Sequence, residues 1–136
     1  MDAEGRDGGR SSMSGVDVIV VGAGPAGSAA AAGLARAGAR VILVEAARHP
    51  RPKACAEYAS PRIAEELARI GLPVSAWSGL AVPLSGMEMH VGAHVAKIEY
   101  ADAGGRRSAW GLDRRSFDAR LAEHATACGA ELREGT

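Results

Sequence analysis

Apolar positions along this chain change period several times, and each change marks an element. Val16–Val21 is β-branched and nearly unbroken, the pattern of a parallel strand buried on both faces. Gly22-Ala23-Gly24 interrupts the run, and Pro25 follows with a fixed φ that already suits the first turn of a helix. The spacing predicts a helix over Ala26–Ala37, capped by Gly24 and ended by Gly38. Its side chains are almost all alanine, with Leu34 the one large apolar residue, so it is thin enough to lie close against a sheet. Arg40–Glu45 predicts a second strand, with Val41, Leu43 and Glu45 on one face and Ile42 and Val44 on the other.

Downstream, the loop from His49 to Cys55 is basic, and Pro50 and Pro52 favour extended backbone at His49 and Arg51. Ser60 and Pro61 read as N-cap and first position of a helix reaching about Ile70, which Gly71 ends. Over residues 79–112 the period falls to two. Met87, Met89 and Val91 alternate with polar residues, as do Val95 to Tyr100, and Asp102–Arg106 has the composition of a hairpin tip. This predicts a small antiparallel meander with Met87 and Met89 in its core. Asp113 is the expected cap of a last helix, Leu112 and Phe117 forming the hydrophobic staple at its entry. Phe117, Leu121, Ala125 and Cys128 make its apolar stripe, Gly129 ends it, and Glu131–Arg133 begins another strand.

Strand, helix and strand in that order predict an α/β fold: a Rossmann-like domain over residues 16–136, with a parallel sheet and a small antiparallel β-meander insertion. Residues 1–15, rich in Gly, Ser and Arg, read as a disordered leader with no apolar stretch of a signal peptide. The 136 residues leave room for one domain. Lys plus Arg (16) balances Asp plus Glu (16), so no global field recruits nucleic acid or an anionic membrane. No apolar run is long enough to span a bilayer as a helix. Cys55 and Cys128 stand far apart and outside any CxxC spacing, which supports reduced thiols in a cytoplasmic protein rather than a disulfide scaffold or zinc site. His90 and His94 are four apart, but the strand pattern and Gly92 spoil helical ligand spacing, so no metal is expected.

The chemistry concentrates at Gly22, Gly24 and Gly27, a GxGxxG pattern that follows a strand and opens a helix. Gly22 makes the tight turn, Gly24 lets backbone approach phosphate oxygens, and Gly27 lets helix and strand touch. Pro25, Ala26 and Gly27 form the first turn, where N–H groups and the helix dipole favour an anion. Glu45 closes the second strand twenty-three residues past Gly22, in place to accept hydrogen bonds from a ribose diol. Its charge would repel a 2′-phosphate, which disfavours NADP there; Arg48 nearby works against that argument, and charge alone does not separate NAD from FAD. Arg114 and Arg115 occupy the first turn of the last helix, where the macrodipole disfavours cations. An anionic ligand would resolve that conflict; two solvated arginines on a surface turn is the other reading. The same choice is open for Arg51 and Lys53, and Cys55 reads as a small hydrophobe beside a lysine that can lower its pKa.

The stretch DVIVVGAGPAGSAAAAGLARAGARVILVE resembles the N-terminal FAD-binding segment of glutathione-reductase-type flavoproteins. Pro50-Arg-Pro-Lys53-Ala-Cys55-Ala-Glu57-Tyr-Ala-Ser60-Pro61, then Leu112-Asp-Arg114-Arg-Ser-Phe117-Asp118, narrow the resemblance to the geranylgeranyl-reductase-like and aromatic-ring-hydroxylase-like FAD oxidoreductases. The resemblance covers about residues 16 to 136. It implies Glu45 for the adenosine ribose, Arg114 for the diphosphate–ribose region, and Arg51, Lys53 and Cys55 for a loop approaching flavin and substrate. One departure is visible: the family has Cys-Gly where this chain has Cys55-Ala56, and Ala tolerates positive φ poorly.

The implied activity is flavin-dependent oxidoreduction with FAD as cofactor. In the reductase branch hydride goes to an isoprenoid alkene; in the hydroxylase branch NAD(P)H reduces the flavin, which captures O₂ and oxygenates an organic substrate. The family's chains are several times longer and carry a later Gly-Asp motif and a substrate sheet, so the chain is expected to be an N-terminal fragment. A stand-alone NAD- or ADP-binding module without catalysis is the alternative.

Overall fold

The computed structural model describes residues 15–136; the leader expected over residues 1–15 lies, apart from Gly15, outside the described residues. Strand β1 (Val18–Val21) leads through the glycine turn into α1 (Pro25–Arg36) and β2 (Val41–Glu45). The short β3 (Tyr58–Ala59) and α2 (Ile63–Arg69) follow, then two 3-10 turns at Val74–Ala76 and Ser78–Leu80. Next come β4 (Ala81–Leu84), β5 (Gly86–Val91), β6 (His94–Glu99), β7 (Ala101–Asp102), β8 (Gly105–Arg106) and β9 (Ala109–Leu112). Helix α3 (Arg114–Ala127) and β10 (Glu131–Glu134) complete the order.

The parallel sheet is β1-β2-β10, with Val20 beside Leu43 and Leu43 beside Leu132. Helices α1 and α3 pack on each other and on this sheet. Ala31, Ala32, Ala122 and Ala125 meet Val41 and Leu43 in a buried cluster, so the alanine-rich helix does lie close to the strands. The expectation that Val16–Val21 is buried on both faces fails. The strand begins at Val18, and Ile19 and Val21 are 62% and 83% exposed. Side chains alternate across a strand, and the helices cover only the face carrying Val18 and Val20.

A second core sits beneath the antiparallel sheet β3-β9-β4. Trp77 packs edge-on to Trp110 at 5.0 Å and to Phe117 at 5.7 Å between ring centroids, joined by Leu67, Leu72, Leu112 and Leu121. Helix α3 therefore serves both cores, with Phe117 and Leu121 in one and Ala122 and Ala125 in the other. Asp113 caps it as expected, accepting from the N–H groups of Arg115 and Ser116. At α2 the expectation is corrected: the helix starts at Ile63, after a turn in which Ile63 N–H donates to the Ser60 carbonyl, and no side chain caps it.

The antiparallel insertion is present as separate ladders, β4 with β9, β5 with β6, and β7 with β8. Met87 and Met89 are not its core: they are 42% and 51% exposed. The β5–β6 ribbon is two strands wide, and no further layer among the described residues covers its apolar side. Among the described residues no helix is long and apolar enough to cross a membrane.

Candidate functional site

The glycine turn is built as the spacing requires. Gly22 has φ +96°, a left-handed value that L side chains rarely adopt, and its N–H donates to the Val44 carbonyl at 2.7 Å. A Cβ on Gly27 would overlap the carbonyl oxygen of Gly22, so only glycine lets α1 approach β1 this closely. Gly24 is the N-cap, with Pro25 first in the helix, and Ser28 N–H is the donor that reaches the Gly24 carbonyl. The N–H groups of Ala26 and Gly27 precede the first intrahelical bond and are left for an outside acceptor.

Glu45 closes one side of this turn. It is 8% exposed, and its Oε2 accepts from Ala23 N–H at 2.9 Å and from Arg51 Nη2 at 2.8 Å, while Oε1 accepts from Ala47 N–H at 3.2 Å. Burial pushes the carboxyl up, but the Arg51 hydrogen bond and the Ala47 and Ala23 amides outweigh it and bring the pKa from 4.5 to about 2. Three bonds leave roughly one of a carboxylate's four acceptor positions for a ligand. A Cβ on Gly24 would stand 3.7 Å from Lys53 Nζ and 3.9 Å from Arg51 Nη2, so the space above Gly24 is bounded by two cations. Arg51 Nε is buried and meets no acceptor. The resulting open cleft, about 730 Å³, is lined by Gly22, Gly24 to Gly27, Glu45 and the Arg51–Lys53 segment. Backbone amides and two cations, Arg51 and Lys53, fit a diphosphate.

Arg114 and Cys55 lie outside this cleft and meet each other, Arg114 Nη1 standing 2.7 Å from Cys55 Sγ. Arg114 Nε and Nη2 reach the two oxygens of buried Asp118 at 2.8 and 3.1 Å. The cation at the start of α3 is thus balanced one turn along by an aspartate of the same chain, and the Asp118 hydrogen bonds raise the guanidinium pKa above its ordinary value. Cys55 is exposed, not a packed hydrophobe. The left-handed residue of this loop is Glu57, at φ 55°, so Ala56 is not the residue strained by the missing glycine. Sequence reasoning missed Asp118, which the i,i+4 spacing from Arg114 signals. It also missed the Ala23 and Ala47 amides, for which no side-chain signal exists.

Residues 15–136 match the family model described as FAD binding domain. The chain belongs to the FAD binding domain family. Among its curated relatives is a menaquinone reductase of Mycolicibacterium smegmatis, 38% identical over 120 residues, 88% of this chain and 29% of that protein. A digeranylgeranylglycerophospholipid reductase of Methanosarcina acetivorans is 35% identical over 122 residues, again 88% of this chain and 28% of the relative. Among solved structures, a flavoprotein/dehydrogenase of Cytophaga hutchinsonii superposes with a TM-score of 0.77 at 30% identity, covering 88% of this chain and 30% of that one. The chain therefore spans under a third of the length of these proteins, and the α/β, Rossmann-like architecture expected from its pattern is the one it shares with the solved flavoprotein.

Proposed function

We propose that the chain is the FAD-binding front part of a flavin-dependent oxidoreductase acting on an organic, isoprenoid-type substrate. The observation that carries this reading is the cradle above Gly24, where the first-turn amides, Lys53 Nζ and Arg51 Nη2 stand together. In it, the diphosphate of FAD takes the Ala26 and Gly27 amides and the Arg51 and Lys53 cations. Pro25 sets the helix entry, and Glu45 accepts from the adenosine ribose with the acceptor position its three protein bonds leave. Arg114, oriented by Asp118, and Cys55 receive the part of the cofactor farther from adenosine. Bound flavin supplies the redox chemistry; the chain supplies position and charge. The names of the relatives, both reductases, favour reduction over hydroxylation. NAD(P)H as the source of electrons and a cytoplasmic location complete the proposal.

The test is titration with FAD and with ADP. Tighter binding of FAD than ADP, with a flavin absorption spectrum that NADH or NADPH bleaches in the longer protein, supports the proposal. Equal affinity for both ligands would leave a nucleotide-binding module without flavin contacts.

A further inference from the structure

The loop that carries Arg51 and Lys53 is tied to the sheet at a point outside the Gly24 cleft. Glu134, the last residue of β10, stands beside Glu45 in the parallel register. Its Oε1 accepts from the backbone N–H of His49 at 2.8 Å and lies 2.7 Å from His49 Nδ1. His49 is buried, with Nε2 meeting no partner, so Nδ1 is the ring nitrogen that bonds. On the strand side, Gly135 and Thr136 N–H groups donate to the Glu45 carbonyl at 2.8 and 3.3 Å. The end of β10 and the Glu45 backbone are therefore one stitched unit, and Glu134 extends it to the loop. Two residues beyond His49, Arg51 reaches the Glu45 carboxylate; four beyond, Lys53 stands over Gly24.

We propose that Glu134 is a positioning residue for the diphosphate site: by clamping His49 it sets where Arg51 and Lys53 stand above Gly24. This rests on reading the Gly24 cleft as a diphosphate site. Without the clamp, the ligand must order the loop itself, and binding weakens accordingly. The sign separates this role from electrostatics. Removing a nearby negative charge by itself strengthens the binding of an anion, whereas losing the clamp weakens it.

Calorimetric titration of ADP and of adenosine into the wild type, Glu134→Ala and Glu134→Gln is the test. Glu134→Ala is expected to weaken ADP about tenfold and leave adenosine within about twofold, since only the phosphates use the loop cations. Glu134→Gln keeps an oxygen to accept both His49 bonds and is expected to stay within about twofold of wild type for ADP. Should Glu134→Ala fail to fold, His49→Phe carries the test. It keeps a ring and removes only the imidazole bond, with an expected threefold loss for ADP, on the order of a single weakened hydrogen bond. ADP binding that tightens or holds in Glu134→Ala, equal losses for ADP and adenosine, or a Gln variant as weak as Ala would overturn the inference. A wild type that binds ADP no better than adenosine would instead remove the diphosphate reading, and the positioning role with it.

Discussion

Arg51 and Arg114 each face a buried carboxylate, yet the two pairs differ in what they leave over. Asp118 meets Arg114 with both oxygens, and the remaining terminal nitrogen contacts Cys55, so the guanidinium's donors are largely engaged. Glu45 divides its oxygens among Arg51 and two backbone amides, and Arg51 keeps a buried Nε with no acceptor. The first pair is the fuller one: it secures the start of α3 and leaves two of Arg114's five N–H donors for a cofactor. The second is incomplete beside an open cleft. Residual hydrogen-bonding capacity, rather than the presence of a charged pair, marks the place where a ligand belongs.

Breaking each pair should therefore have different consequences. Asp118→Ala strands the Arg114 charge half-buried and is expected to cost about 3–5 kcal/mol of stability, read by urea unfolding, while ADP affinity of the folded protein is unchanged. A Cβ at Gly24 meets only flexible cation termini at ordinary contact distances, so Gly24→Val should still fold, at a cost of about 1 kcal/mol for a poor N-cap residue. It fills the phosphate space, and ADP affinity should fall at least a hundredfold, about 2.8 kcal/mol; unchanged affinity removes the diphosphate reading of the cleft. Arg51→Met should weaken ADP and FAD alike, by about tenfold each. Arg114→Met should weaken FAD and spare ADP; a loss for ADP equal to that of Arg51→Met would erase the distinction between the two arginines.

The smallest effect is a pH limb. Glu45 has a folded pKa of about 2 against an ordinary 4.5, so its stabilising contribution is complete above about pH 4.5 and disappears as pH falls through about 2. The difference in unfolding free energy between wild type and Glu45→Gln should shrink across that window, because the amide has nothing to protonate.

Much of this was legible in the chain. Gly22, Gly24 and Gly27 act through backbone geometry that follows from their spacing, and Asp113 and Gly129 bound α3 where the local rules put them. Burial was less legible, because it depends on what else packs nearby. Ile19 and Val21 read as buried and Met87 and Met89 as core, and all four are exposed where only one layer is present. The partners of Glu45 were hidden for a different reason. Ala23 and Ala47 act through amides that every residue possesses, and Glu134 reaches His49 across 85 positions of sequence.

The most direct measurement is a crystal structure of the protein with FAD. The account predicts phosphate oxygens within hydrogen-bonding distance of the Ala26 and Gly27 amides, between Arg51 and Lys53, and a ribose hydroxyl on Glu45. A diphosphate seated away from the Gly24 turn, with Arg51 Nε still unpartnered, would contradict it.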